Sequence, residues 1–179
     1  MELPNIPYLV SHRNVRYPRL EFRTGKLLLV LPLDRKSGPI LEKHKRWIVK
    51  KMAFVEECLE HASNRRMVER TEEEFRDLTF SLIKNALIEL GGRLHHIYFR
   101  TMRTKWASLS SEKNLTINRL MKHLPEHLLN YIIFHELVHL IEKRHNNKFW
   151  KRVSKKFDNY QALEKDLFVY WFLIANTMQ

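Results

Sequence analysis

Residues 128–141 read LLNYIIFHELVHLI, and this stretch decides the fold of the 179-residue chain. Apolar side chains lie on almost every side of the helix it would form, which predicts a helix in the middle of the protein rather than on its surface. Pro125 and Glu126 stand where such a helix can begin, because proline suits its first position and an acidic residue suits its first turn. Ionisable groups are costly in an apolar helix unless something binds them, so those in this helix indicate a functional site.

The ionisable residues are His135, Glu136 and His139, within the pattern His-Glu-Leu-Val-His. Two histidines four positions apart lie on one helical face and can offer their imidazoles to one zinc ion. Glu136 can then reach the open coordination position and take a proton from water that the metal activates. The alternative is that both histidines are hydrogen-bonded core residues and that Glu136 caps a nearby donor. We favour the metal site, because the alternative needs three separate explanations.

A catalytic zinc ion usually has three protein ligands and keeps one position for water. His145 follows His139 after five intervening residues, the spacing of the long zinc signature of metzincins. Glu164, on the last predicted helix, is the rival third ligand, and Glu142 and Asp158 are further candidates. We favour His145 as the third ligand.

The turn between the second and third histidines needs its own explanation. The metzincin signature has a glycine where this chain has Glu142. We therefore expect Arg144 or Asn146 to make the turn, since asparagine adopts positive φ more easily than most residues.

Hydrophobic periodicity and turn residues predict the remaining elements. We expect helices at residues 40–61, 71–90, 146–157 and 161–176, the second with a capping box formed by Thr71 and Glu74. We expect strands at residues 20–22, 26–30, 94–101, 105–110 and 115–120, with a hairpin turn at residues 23–25. The predicted class is α+β, with a small mixed or antiparallel sheet packed on the buried helix. Residues 1–70 would form a hairpin and helix extension and residues 71–179 the core, with one continuous domain as the alternative.

Composition limits the function classes. The 32 Lys and Arg residues against 20 Asp and Glu give a net charge of +12, which favours acidic or phosphate-bearing partners. Cys58 is the one cysteine in the sequence, which excludes an internal disulfide framework and a multi-cysteine zinc site. The longest apolar stretch, residues 168–175, is too short to cross a bilayer, and the N-terminal residues do not read as a signal peptide. We expect a cytoplasmic protein without a membrane partner, whose oligomeric state the sequence leaves open.

The chain resembles the YgjP-like metal-dependent hydrolases, which are relatives of SprT-like and other zincin metallopeptidases. The resemblance covers residues 93–160, and residues 47–51 more loosely. The family usually has glycine and cysteine where Ala107 and Leu109 stand, and Asn-His-Ser where residues 144–146 read Arg-His-Asn. The segments that carry the resemblance are TMRTKWAS at 101–108, NLTIN at 114–118, the histidine helix, His145 and the pair Phe149-Trp150.

The resemblance implies a zincin-like fold in which His135, His139 and His145 hold one zinc ion and Glu136 is the catalytic base. The first function hypothesis is a metallopeptidase that cleaves amide bonds of peptide or protein substrates. One branch of the family is described as a nucleotide pyrophosphatase, so a nucleoside triphosphate pyrophosphatase with the same metal site is the alternative. A nucleic-acid-associated protein with a structural zinc ion is the third, and it requires a fourth protein ligand. The basic residues at 143–156 fit either alternative, or they form a solvated helix face.

Four further residues are candidates for substrate binding: Trp106, Ser108, Asn118 and Tyr160. We expect residues 106–110 to form an edge strand that pairs with an extended peptide above the zinc helix, although an internal strand with Trp106 in the core is equally compatible with the pattern. Asn118 would orient a ligand or make a turn. Tyr160 is a candidate to support the oxyanion by analogy with other zincins. The last helix would pack on the core, cover the cleft or form an oligomer contact.

Overall fold

A computed structural model describes residues 8–23 and 26–177 of the chain. Its strands are β1 (Tyr8–His12), β2 (Arg19–Arg23), β3 (Lys26–Leu31), β4 (His96–Arg100), β5 (Ala107–Leu109) and β6 (Asn114–Asn118). Its helices are α1 (Gly38–Lys43), α2 (Lys45–Ser63), α3 (Glu72–Leu90), α4 (Glu126–Val138), α5 (Asn147–Lys156) and α6 (Tyr160–Thr177), with a short 3₁₀ helix, Arg119–His123, between β6 and α4.

The described residues form two compact units. One contains the residues up to Arg65 and those from Trp171 onwards, and the other is Arg66–Tyr170. In the described parts of the chain, no helix is long and apolar enough to cross a membrane.

The first unit is built on a three-stranded sheet. Its strand order is β1-β3-β2, and the central strand β3 runs parallel to β1 and antiparallel to β2. The predicted hairpin strands at 20–22 and 26–30 are therefore confirmed, while Thr24 and Gly25 of the predicted turn lie outside the described residues. Side chains of β3, α1 and α2 form a small apolar core: Leu27, Leu29, Leu31, Leu41 and Ile48.

Two features of this unit differ from the prediction. The predicted helix at 40–61 is divided at His44, whose φ of −106° and ψ of 10° end α1 before α2 begins. Strand β1 was not predicted, because its sequence does not alternate between apolar and polar residues. Tyr8, Leu9 and Val10 are all exposed. An edge strand held by backbone pairing to β3 leaves little signal in the side-chain pattern.

The second unit contains a three-stranded mixed sheet packed on a buried helix. The strand order is β4-β6-β5, with β6 parallel to β4 and antiparallel to β5. Helix α4 contacts α3, β5 and α5, and its apolar side chains are buried on nearly every side. The predicted α+β class and the small mixed sheet on a buried helix are confirmed.

Helix α3 has the predicted capping box. The Thr71 hydroxyl accepts a hydrogen bond from the Glu74 N–H at 3.2 Å, and the Glu74 carboxylate accepts one from the Thr71 N–H at 2.8 Å. The helix ends before Gly91, whose φ of 68° lies in the left-handed region that glycine adopts without strain. This helix supports α4 and starts the segment that leads to the sheet.

Asn118 fixes the loop that leads into β5. Its side chain is completely buried. Its Oδ1 accepts hydrogen bonds from the N–H groups of Met102 and Leu120, both at 3.2 Å. Its Nδ2 donates to the carbonyls of Met102 and Lys105 at 2.8 and 2.7 Å. The amide therefore satisfies four backbone groups and holds residues 102–105 against the end of β6.

We predict that Asn118→Ala lowers the free energy of unfolding by about 2–4 kcal/mol, because it leaves several buried backbone groups without partners. Urea denaturation followed by circular dichroism measures the change. Asn114→Ala on the same strand is the matched control, and it should cost much less because the Asn114 side chain makes one long bond, to Glu112 at 3.3 Å. Equal losses for the two variants would contradict the special role of Asn118.

Candidate active site

Helix α4 places His135 and Glu136 on its last turn and His139 at its C-terminal cap. The helix ends at Val138, three residues earlier than predicted. The N–H groups of residues 139–141 donate to carbonyls three residues before them, at 3.0–3.2 Å. This tightening of the chain to 3₁₀ geometry ends the helix and directs the following segment back towards it.

The segment after α4 brings His145 to the other two histidines without a glycine. The expected positive φ at Arg144 or Asn146 is not found: Asn146 has a φ of −89°, and Lys113 is the non-glycine residue with positive φ among those that the structure describes. Asn146 instead caps α5, since its Oδ1 accepts a hydrogen bond from the Phe149 N–H at 3.0 Å. The turn is therefore made by the tightened helix end and a capped helix start.

The three histidines converge. Each offers one ring nitrogen, and these atoms all lie within 4.8 Å of one another. The Nε2 atoms of His135 and His145 are 3.0 Å apart. Zinc–nitrogen bonds are about 2.0–2.1 Å, so ligand nitrogens around a tetrahedral ion lie roughly 3.4 Å apart. The chain's own nitrogens thus fit the spacing of a single small cation.

Burial keeps the imidazoles of His135 and His145 in the form that binds metals. Burial, together with the neighbouring His145 and His139, lowers the pKa of His135 to about 3. Burial also lowers the pKa of His145, with His139 acting in the same direction. A neutral imidazole has a free nitrogen lone pair, which a metal ion needs.

Neighbouring groups orient two of these rings. His139 lies with its Nδ1 3.0 Å from the Glu142 carbonyl, so an Nδ1–H donor would leave Nε2 free to face the other histidines. His145 stacks on Trp150, with ring centroids 5.6 Å apart and planes 25° apart. Trp150 in turn stacks on Tyr160, at 5.0 Å and 23°. The structure therefore connects Tyr160 to the histidines through Trp150.

Glu136 lies beside the histidines and is held by the edge strand. Its Oε2 accepts a hydrogen bond from the Leu109 N–H at 3.0 Å. Burial raises the pKa of the Glu136 carboxyl, against smaller opposite effects of His139, the Leu109 N–H and Lys105. A carboxylate with a raised pKa is a better proton acceptor near neutral pH than an exposed one.

A cavity of about 680 Å³ opens over these residues. Residues 105–111 form one wall, so the sequence candidates Trp106 and Ser108 both line it. Helix α4 and its C-terminal cap supply the floor with His135, Glu136 and His139. His145 comes from the segment after this helix, and α6 contributes Glu164. Glu164, the rival third ligand, is not part of the cluster of ligand atoms, and its Oε1 accepts a hydrogen bond from the Tyr131 hydroxyl at 3.0 Å instead.

The sequence candidates thus fall into two groups. The three histidines, Glu136, Trp106 and Ser108 share the cavity, whereas Asn118 and Tyr160 lie outside its lining. Sequence reasoning missed Tyr131 and the Leu109 N–H. Tyr131 brings a hydroxyl to a largely apolar helix, four positions before His135 and thus on the same face, which was a readable signal for the first. The second is a backbone group, and the type of residue that carries it gives no indication of its role.

Comparison with known proteins agrees with this geometry. The model of the family described as "YgjP-like, metallopeptidase domain" matches residues 72–169, which is more than half of the chain. The chain belongs to this family. The matched segment contains the buried helix, the three histidines and most of α6, as well as the mixed sheet.

Three individual proteins are similar to part of the chain. A UTP pyrophosphatase from Escherichia coli (strain K12) is 28% identical over 90 residues, which are 50% of this chain and 49% of that protein. The chain therefore spans about half the length of this relative. The metallopeptidase zymogens abylysin from Pyrococcus abyssi and jannalysin from Methanocaldococcus jannaschii are 27% and 31% identical, with TM-scores of 0.43 and 0.45. These matches cover 49% and 50% of this chain and 87% and 90% of those chains.

We predict that purified protein binds one zinc ion per chain and that His145→Ala loses it, because two imidazoles hold zinc weakly. Metal content after gel filtration measures this. His127→Ala, at an exposed position in the first turn of the same helix, is the control and should keep its zinc. Retention by His145→Ala together with loss by Glu164→Gln would instead make Glu164 the third ligand.

Proposed function

We propose that the chain is a zinc-dependent metallopeptidase that hydrolyses amide bonds in peptide or protein substrates. The observation that carries this proposal is the convergence of three imidazole nitrogens beside Glu136, in a cavity walled by an edge strand. Among the described residues this ligand group has three members, which fits a catalytic site better than a structural one, since structural zinc takes four protein ligands. Membership of the metallopeptidase family supports the same reading.

In this proposal His135, His139 and His145 hold the ion. A bound zinc ion polarises a carbonyl and lowers the pKa of water towards neutrality. The protein's contribution is to bring the three ring nitrogens close together and to lower the pKa of His135 and His145, which favours their neutral form.

Glu136 is the general base of the proposal. The Leu109 N–H holds Oε2, so Oε1 is the atom available to take a proton from the attacking water. As the hydroxide oxygen bonds to the carbonyl carbon, that proton rests on Glu136. It then passes to the amide nitrogen as the C–N bond breaks, which leaves a free amine and a carboxylate.

Strand β5 is suited to hold the substrate. Trp106 and Ser110, which flank β5, bond to β6. The Trp106 carbonyl accepts from the Asn118 N–H at 2.8 Å, and the Ser110 N–H donates to the Asn114 carbonyl at 2.9 Å. Because antiparallel pairs alternate, the backbone groups of Ala107 and Leu109 point away from β6. The bond from the Leu109 N–H to Glu136 agrees with that direction. An extended peptide can pair with this open edge and lie across the cavity.

We predict that Glu136→Gln keeps its zinc and lowers kcat/KM on peptides by about 10²–10⁴-fold, because glutamine cannot accept the proton. Wild type and variant are compared on a mixture of unfolded protein and fluorogenic peptides, with metal content measured in parallel. Glu126→Gln, exposed at the start of the same helix, is the control and should retain wild-type turnover. Undiminished hydrolysis by Glu136→Gln would remove Glu136 as the base.

A nucleoside triphosphate pyrophosphatase is the second candidate function. The specific observation that favours it is the presence of Lys105, Lys113 and Lys143 in the cavity lining, which suits phosphate groups. The similarity to a protein named UTP pyrophosphatase points the same way. The same pair of proteins assayed on UTP separates the two: release of pyrophosphate by wild type, lost in Glu136→Gln, with no peptide cleavage, would replace the peptidase proposal.

A further inference from the structure

The cavity wall contains a second carboxylate that the proposed catalysis does not use. Glu164 of α6 is partly buried and lines the same cavity as the three histidines. In the described part of the chain its carboxylate makes one hydrogen bond, from the Tyr131 hydroxyl to Oε1 at 3.0 Å. No cation of the described residues is paired with it. The negative charge of such a carboxylate is poorly compensated where solvent is partly excluded.

Tyr131 fixes how this carboxylate is presented. The tyrosine is 1% exposed, so its hydroxyl needs a partner within the protein. Its hydroxyl is the donor of the bond to Glu164, because a carboxylate oxygen accepts. Oε1 is committed to Tyr131, and Oε2 is left for a donor that enters the cavity.

Tyr131 and Glu164 lie near the place where the proposed catalysis puts the scissile bond of a substrate. Tyr131 lies one helical turn before His135, and their ring centroids are 5.8 Å apart. Glu164 is nevertheless outside the cluster of ligand nitrogens. A substrate whose scissile carbonyl lies over the histidines would therefore have a neighbouring group within reach of Glu164.

The charges of the cavity determine which kind of group this would be. Lys105, Lys113 and Lys143 line the cavity and repel a cation. Glu136 has one oxygen on the Leu109 N–H, and its other oxygen takes the proton of water in the proposed catalysis. Glu164 is the carboxylate of the lining with an oxygen, Oε2, that neither a hydrogen bond of the described residues nor the proposed catalysis uses. Hydrogen bonds to a charged donor are about twice as strong as those to a neutral one.

We propose that Glu164 and Tyr131 form a subsite that binds a positively charged group of the substrate next to the scissile bond. The inference rests on the proposed peptidase function. The chemistry is that of an ammonium or guanidinium group, and two sources supply it: a lysine or arginine side chain, or the free α-amino group of a peptide cut near its N-terminus.

A peptide series tests the subsite and separates the sources. One cleavable sequence is made with lysine, arginine or methionine beside the scissile bond, each with a free and with an acetylated N-terminus. We expect wild type to prefer one class of cationic peptide by about tenfold in kcat/KM. A preference that survives acetylation identifies the side chain, and one that acetylation removes identifies the α-amino group.

Glu164→Gln removes the charge and keeps an oxygen that can accept from Tyr131. We expect it to lower kcat/KM for cationic peptides about tenfold more than for the methionine peptide. Asp158→Asn removes the same charge from an exposed position outside the cavity lining, and should leave the preference as in wild type. An unchanged preference in Glu164→Gln, or an equal loss for all peptides, would overturn the subsite.

Binding provides a readout that does not depend on turnover. The same peptides, labelled with a fluorophore, are titrated into zinc-loaded Glu136→Gln protein with and without Glu164→Gln, and fluorescence anisotropy gives their affinities. If wild type cleaves no peptide but the added substitution abolishes a preference for cations in binding, the peptidase proposal fails and the subsite stands. If peptides are cleaved and no cationic preference exists in either assay, the subsite fails and the peptidase proposal stands.

Discussion

The burial of α4 is the constraint on which the rest of the structure depends. A helix whose side chains are enclosed on nearly every side cannot hold ionisable residues at random, because each must find a partner or become neutral. In this chain His135 and Glu136 stand on its last turn, where the enclosed helix meets the cavity. The sheet and α3 cover this helix. This packing places the Leu109 N–H of β5 at hydrogen-bonding distance from Glu136.

The fold could be predicted where local signals were strong. The capping box at Thr71 and Glu74 located the start of α3, and short apolar segments bounded by turn residues located β3 and β6. Prediction failed where tertiary context decided the outcome. The end of α4 was placed three residues late because Leu140 and Ile141 continue its apolar pattern, yet their N–H groups bond three residues back rather than four. Periodicity records which faces are apolar, not the point at which a helix tightens and stops.

The candidate site could be predicted in its chemistry but not in all its contacts. The spacing of the metzincin signature and the family resemblance suggested His145 as the third ligand, with Glu164 as the rival. The stack of His145 on Trp150 was not predicted, although the aromatic pair at 149–150 was noticed. Contacts such as Tyr131 with Glu164 join residues 33 positions apart. They follow from how α6 packs near α4, which no local pattern records.

One physical cause prepares both halves of the proposed chemistry. Partial exclusion of solvent penalises charge of either sign, so it lowers the pKa of His135 and raises that of Glu136. The first shift leaves an imidazole lone pair for a metal ion, and the second leaves a carboxylate ready to hold a proton. Glu164 differs from Glu136 in its surroundings, because its partner is a tyrosine hydroxyl rather than a strand N–H. Two carboxylates in one cavity can thus take different tasks, one in proton transfer and one in recognition, because different neighbours occupy their oxygens.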